Sequence, residues 1–334
     1  MSSTMSSTSV PTIPAAPQPP ASLRWWLLAG VALACVLPWL VYPMFLIKLM
    51  CLALLAASVN FLIGYAGLLS FGHAMFYGSA AYVTGFVAKA WGWDGSLAIL
   101  AGMGVAMVFG LLTGLLAIRR QGIYFSMITL AFAQMVYFLA LRMPFTGGED
   151  GLQAVPRPRF FGVLDTESTL VFYYVCLLAI GFGFWLIYRT VHSPFGQVLR
   201  AIRDNEARAK SLGYQVNRYK LLAFVLSASL AGLAGAMKVL AFQLATLTDV
   251  SWTTSGEALL VSIVGGLNTM LGPIVGAVIM GSMEHYLASF AEWVLIIQGA
   301  VFVVVVMVFR KGVVGQLRNV LPWSVRSTPA KEST

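Results

Sequence analysis

The sequence predicts an all-α polytopic membrane protein of about ten transmembrane or partly spanning helices, with a cytoplasmic amphipathic helix between the sixth and the seventh. Three observations carry this. Of 334 residues, 59% are hydrophobic and only 10% charged, with a mean hydropathy of +0.84. A soluble chain carries roughly 45–50% apolar and about 25% charged residues, so a soluble enzyme, a disordered protein and a disulfide scaffold are excluded. The apolar runs, such as 221–240 and 293–309, are long, nearly uncharged and non-alternating. A membrane barrel needs alternating segments of about ten residues, whereas a helix satisfies its own backbone in hydrocarbon. Finally, the basic residues gather in loops on one face of the implied bundle.

Residues 1–22 are rich in Ser, Thr, Pro and Ala and carry no charge, which predicts a disordered cytoplasmic tail. A transmembrane domain follows over 23–315. Its first span, 24–42, is too long and too weakly basic at its start for a cleaved signal. Spans 44–63, 70–89, 96–117, 122–141 and 170–189 come next, then 219–241. The eighth, 255–267, is short and interrupted by Gly265 and Gly266, so it reads as broken or re-entrant. The ninth, 271–290, opens on Gly272-Pro273, the tenth runs over 293–309, and 316–334 forms a C-terminal tail. Cys35, Cys51 and Cys176 lie inside apolar runs and read as small buried residues, not disulfides or metal ligands.

Ten spans place both termini on one side. That side receives fifteen of the 21 basic residues and three of the 12 acidic ones, a net +12, leaving −3 elsewhere. The positive-inside rule makes the basic side, and both termini, cytoplasmic. Nucleic-acid binding is not needed to explain the charge, because every basic stretch flanks a membrane span.

The loop 193–218, between spans six and seven, is the most informative segment. Ser193 suits a helix cap, Pro194 the first helical position, and Gly213 the left-handed residue that closes the helix. Phe195, Val198, Leu199, Ile202 and Ala209 fall near one face, with Arg200, Arg203, Asp204, Arg208 and Lys210 on the rest. Such a helix lies on the membrane surface or in the groove of a soluble partner, and periodicity does not choose between them.

The residues of this loop, Gly196, the run from Arg200 to Glu206, Ala209 and Gly213, followed by Tyr219-Lys220 and the small residues to Gly235, resemble the coupling loop of ABC-transporter permeases. More narrowly, the chain is similar to the M-type of the branched-chain amino acid permease family over roughly 40–315. Four further motifs follow the family in the same order. One runs from Gly64 to Ala74, with Leu68 where Gln is usual, and another from Gln121 to Phe132. The third runs from Thr146 to Leu152, with Glu149 in place of Ser or Ala, and the fourth is Phe309-Arg310-Lys311-Gly312, with Lys311 in place of Pro.

The resemblance implies a permease subunit of a binding-protein-dependent importer in a bacterial inner membrane. It implies a homologous second permease, two cytoplasmic ATP-binding subunits and a periplasmic substrate-binding protein as partners. This chain would bind no cofactor, the ATP being used by its partners. Gly196, Ala201, Arg203, Asp204, Glu206, Ala207 and Gly213 would form the core of the ATPase contact. Independently, the chain holds no G-x-x-x-x-G-K-[ST] phosphate loop, so energy must come from outside it. Branched-chain amino acids are the implied substrate, with urea, short amides and aromatic acids as alternatives.

A self-sufficient secondary transporter or channel is the competing class; it would more often carry a mid-membrane carboxylate, and none is placed there. A membrane-embedded enzyme has no support, since His73, His192 and His285 stand apart and no metal-ligand spacing occurs. Lys48, Lys89 and Lys238 fall near the outer helix ends, where they are expected to snorkel to the headgroups, with a place on the substrate path as the alternative. His73 is expected to find a partner on a neighbouring helix. Gly64, Gly67, Ser70 and His73, with Gly265 and Gly266, mark two interruptions between which a translocation path is expected, unless the glycines serve helix packing alone. Gly147, Gly148, Glu149 and Asp150 are the expected docking rim of the outer loop, against the plainer reading of a solvated loop.

Overall fold

The computed structural model describes residues 33–160, 168–287, 294–308 and 312–320. The expected tail 1–22, most of 316–334 and the Phe309–Lys311 part of the last motif lie outside the described residues. Among those described, the regular elements are helices, with one isolated bridge between Leu152 and Ala245. The chain is an all-α polytopic membrane protein. The helices are α1 (Pro43–Ala66), α2 (His73–Ala90), α3 (Gly95–Ala117), α4 (Ile123–Arg142) and α5 (Thr169–Val191). Then come α6 (Pro194–Asp204), α7 (Glu206–Ser211), α8 (Val216–Phe242) and α9 (Leu247–Val250). The series ends with α10 (Trp252–Gly265), α11 (Gly272–Leu287), α12 (Val294–Val308) and α13 (Gly312–Val320).

Among the described residues, five helices, α1, α3, α4, α5 and α8, are long and apolar enough to cross a membrane. The other expected spans are shorter: α2 has 18 residues and α10 only 14. At about 1.5 Å per residue, α10 reaches roughly 21 Å, short of a hydrocarbon core of about 30 Å. The short, interrupted eighth span is thus a partial one.

The bundle is organised around α8. Of the most apolar windows of α1 and α8, 78% is buried, against 33% for α3, α4 and α5. The cause is composition. Without a hydrophobic drive between helices in lipid, small residues let backbones approach and dispersion contacts accumulate. The α8 segment from Ala228 to Ala236 is almost entirely Ala, Gly, Ser and Leu. A Cβ on Gly235 would stand 1.9 Å from the Tyr77 carbonyl of α2, and one on Gly232 would stand 2.5 Å from Ala106 of α3. Gly110 and Gly114 of α3 receive Ala228, Leu221 and Phe224 of α8 in the same way. On the outer side of α3, Leu111, Leu112, Leu115 and Leu116 are exposed, as a lipid-facing surface requires.

The connections gather at two ends. One, the basic end, holds residues 67–72, 118–122, 192–215 and 266–271. The opposite end holds 91–94, 143–160 and 243–251. Each of the three lysines expected to snorkel also finds a partner within the chain. Lys48 pairs with Glu284 at 2.9 Å and Lys238 with Asp249 at 2.6 Å, while Lys89 donates to the Gln153 carbonyl at 2.8 Å. Asp249 also accepts from the backbone amide and hydroxyl of Thr246, closing a capping box on α9.

Candidate functional site

At the basic end, the single helix expected from Pro194 to Gly213 is instead two. Ser193 caps α6 as expected, accepting from the Gly196 amide at 3.4 Å. The helix then breaks at Asn205, which is extended at φ −157°, and whose side chain accepts from the Arg208 amide at 2.9 Å. Asn205 therefore N-caps α7 and does not continue α6, a competition that side-chain amides near the backbone often win. Gly213 takes the left-handed conformation expected of it, φ +86°. Ile202, Ala209 and Val216 bury together beneath the break and hold the two short helices against the start of α8.

The seven residues expected to meet an ATPase divide by the direction they face. Gly196 is buried, and a Cβ there would stand 2.4 Å from the Val191 carbonyl at the end of α5. Ala201, Asp204, Ala207 and Gly213 are exposed. Arg203, itself exposed, and half-buried Glu206 reach back to the bundle. Glu206 accepts from Gln121 at 2.7 Å, from Lys210 at 2.7 Å and from Lys220 at 2.5 Å, joining α7 to the α3–α4 connection and to α8. Burial alone raises the Glu206 carboxyl, but the two ammonium groups outweigh it and hold it below the ordinary carboxylate range. Arg200 donates to the Val191 carbonyl at 2.7 Å and lies over the Tyr65 ring, a cation at the negative end of α5.

The two expected interruptions of the path lie at this same end and touch. Helix α1 closes on Gly67, φ +70°, whose amide donates to Ile63, while Leu68 donates to Leu62, both at 3.2 Å. This is the double hydrogen bond of a left-handed helix stop. Residues 67–72 then run without helix, and side chains from other helices satisfy their backbone. Ser126 of α4 donates to the Leu69 carbonyl at 2.7 Å, and Thr129 accepts from the Phe71 amide at 3.2 Å. Buried Ser70 accepts from the Gly72 amide at 3.1 Å. Ser255 of α10 accepts from the Ala74 amide at 2.7 Å. His73 is fully buried, and its Nε2 lies 2.8 Å from Ser227 of α8, the neighbouring-helix partner expected for it.

The second interruption, at Gly265 and Gly266, is the turn of the α10–α11 hairpin. A Cβ on Gly265 would stand 1.9 Å from the Gly272 carbonyl, so only glycine lets the two helices meet there. Asn268 of this turn stands against Gly64, 3.0 Å from where a Cβ would be. The two breaks therefore meet directly, Asn268 of the turn against the last turn of α1.

At the opposite end, Gly147 and Gly148 adopt positive φ and Glu149 and Asp150 are exposed, so the expected rim faces outward. The loop is nonetheless pinned. Leu152 exchanges both backbone hydrogen bonds with Ala245, at 2.9 and 3.0 Å, and Val155 donates to Gln243 at 3.1 Å.

Asn60 and Asn268, at the basic end, lie outside the motifs, and Gln121 and Lys220 lie within them with no sign of their contact to Glu206. Asn60 was the most readable, as an amide inside an otherwise apolar run, where a polar side chain signals an interhelical hydrogen bond. Gln121 and Lys220 read as ordinary membrane-flanking residues.

The family model described as branched-chain amino acid transport system / permease component matches residues 41–306. The high-affinity branched-chain amino acid transport system permease protein LivM of Salmonella typhimurium is 27% identical over 281 residues, 77% of this chain and 66% of that protein. LivM of Escherichia coli is 26% identical over the same length and the same shares. The autoinducer 2 import system permease protein LsrC of Klebsiella pneumoniae is 30% identical over 233 residues, 65% of this chain and 62% of that protein. The match therefore spans just under two thirds of the length of the LivM proteins, at 66%.

Proposed function

Because this chain belongs to the family of permease components of branched-chain amino acid transport systems, we propose that it is the membrane-spanning subunit of an ATP-driven importer. In this reading it resides in a bacterial inner membrane and pairs with a homologous second permease. Two cytoplasmic ATP-binding subunits dock at the basic end, and a periplasmic binding protein delivers substrate at the other. The chain is a transport component and not an enzyme, and the ATP is consumed by its partners.

The observation that carries the reading is the two-sided construction of α6 and α7. One side is bonded into the bundle through Arg203, Glu206 and Leu199. The other presents Ala201, Asp204, Ala207 and Gly213 to the exterior. A helix pair lying idle on lipid needs no such polar anchorage, whereas one that transmits displacement from a moving cleft does. Nucleotide binding closes the ATPase pair, α6 follows, and the bundle shifts between outward- and inward-open populations. Glu149 and Asp150 form the docking rim for the binding protein, and substrate passes between residues 64–70 and 265–272 once they part.

The LivM relatives support a branched-chain amino acid as the substrate. LsrC is named for autoinducer 2 import, so the same permease type serves another small polar solute elsewhere, and that remains the second reading. The test is co-purification with a P-loop ATPase, followed by uptake of labelled leucine into vesicles with the cognate binding protein and ATP. ATP-dependent uptake is expected. Uptake by the purified chain alone, driven by an ion gradient, would overturn the reading.

A further inference from the structure

Arg203 stands where three elements meet. Its Nη1 donates to the Gly64 carbonyl and, at 2.8 Å, to Asn268 Oδ1. Its Nε and Nη2 hold Asp204 at 3.1 and 2.9 Å, fixing the plane of the guanidinium. The Gly64 carbonyl belongs to the last turn of α1, where carbonyls lack a helical partner and the helix end is negative. Asn268 is in turn tied to α1. Its amide donates to Asn60 Oδ1 at 3.1 Å, Tyr65 Oη donates to its carbonyl at 3.3 Å, and Asn60 Nδ2 donates to Thr269 at 2.8 Å. Gly67 makes room for the arginine, since a Cβ there would stand 2.8 Å from Arg203 Cγ.

Resting on the permease reading above, we propose that Arg203 is a positioning residue that latches the basic end shut. It makes movement of α6 and separation of α1 from the 266–271 turn a single event. The geometry leads there directly. Both bonds to Nη1 depend on one planar group carried by a helix pair that is exposed on its outer side. Hydrogen bonds weaken steeply beyond about 3.2 Å, so a small displacement of α6 releases the α1 end and the turn together. What then joins α1 to the hairpin at this end is the Asn60 amide with the Tyr65 hydroxyl, which carry no charge. Asp204 keeps the guanidinium aimed while α6 is seated. Lysine cannot reproduce the arrangement, because a single ammonium has no fixed fork with which to hold a carbonyl, an amide and a carboxylate at once.

The reporter is Ser262→Cys, in a chain whose Cys35, Cys51 and Cys176 are replaced by Ala. Ser262 is fully buried on α10 and donates to the Ala56 carbonyl of α1 at 2.8 Å, so its exposure reads the separation of the two helices. The assembled transporter in proteoliposomes, without nucleotide, is labelled from the basic side with a membrane-impermeant maleimide. Arg203→Gln is expected to speed labelling about tenfold, the equilibrium shift that loss of a charged hydrogen bond gives. Arg203→Lys restores only part of the protection, and solute moved per ATP hydrolysed falls in both. Asn268→Gly, which leaves the arginine intact and suits the left-handed φ of +63° at this turn, produces the same gain and decides the matter if Arg203→Gln does not assemble. Labelling and coupling unchanged in Asn268→Gly would overturn the latch. A wild-type chain that neither binds an ATPase nor transports with ATP would sink the permease reading instead, and the labelling comparison still reads the latch in the chain alone.

Discussion

Glu206 shows what a single carboxylate does at the basic end. It accepts hydrogen bonds from Gln121, Lys210 and Lys220, and Lys220 is only 5% exposed. Removing the negative charge leaves a nearly buried ammonium with a weak partner, a situation in which the cost exceeds the worth of the original pair. Glu206→Gln should therefore destabilise the purified chain by about 2 kcal/mol at pH 7, the range for a charged hydrogen bond, read as a lower unfolding midpoint in detergent. The pH dependence has a definite sign. The folded carboxyl titrates below its ordinary value of 4.5, so its stabilisation is present above that value and is lost as pH falls through the folded one. The gap between wild type and variant should stay constant from pH 7 to about 5 and narrow steadily as pH falls below the ordinary value of 4.5. An equal gap at pH 3.5 and pH 7 would show that packing, not charge, is the source. Neither Glu206 nor Arg203 was readable from sequence as inward-facing. Both fall among the polar residues of an amphipathic pattern, which separates polar from apolar but not bundle-facing from partner-facing polar groups.

At the scale of elements, glycine decides which helices touch. Gly265 and Gly235 have no room for a Cβ, each meeting a backbone carbonyl at 1.9 Å, whereas Gly104 and Gly181 have nothing within 4 Å. Backbone cannot yield as a flexible side chain does, so Gly265→Ala should part the α10–α11 hairpin and Gly235→Ala should part α2 from α8. Overpacking of this kind costs about 1–3 kcal/mol or more, so both variants should accumulate in the membrane at a fraction of the wild-type level. Gly104→Ala and Gly181→Ala should accumulate normally, and equal loss in all four would mean that glycine acts here through chain flexibility. Sequence reading located the interruption at Gly265 and Gly266, because glycine pairs in apolar runs have few other uses. It did not see the break at Asn205. Whether an asparagine continues a helix or caps the next depends on Ile202, Ala209 and Val216 burying together, which is a tertiary event.

The whole molecule was the most legible scale. Helix class, the order of the spans and the gathering of charge follow from composition and from the positions of Lys and Arg, which do not need packing to be known. Packing is what sequence lacked. The lysines of the opposite end find partners inside the chain, and the two breaks between which a path is expected meet at Gly64 and Asn268. The segregation of loops gives a direct test of orientation. Residues 192–215 lie at the basic end, with 143–160 at the other, and Gln215 and Glu149 are exposed members of the two sets. Fifteen of the 21 basic residues were assigned to the first side, and translocating that much positive charge is disfavoured. In cells expressing a chain without its native cysteines, Glu149→Cys should react with an impermeant maleimide from outside, and Gln215→Cys only after permeabilisation. The reverse pattern would invert the topology and place the coupling helices where no ATPase can reach them. The same variant tests the outer rim. Added binding protein should slow labelling of Glu149→Cys severalfold in the assembled transporter, while labelling of Trp91→Cys, at the same end on an exposed residue outside the pinned loop, serves as the reference. Equal protection of both positions would assign the effect to general crowding at that surface, and protection of Glu149→Cys alone locates the contact on the Gly147–Asp150 rim.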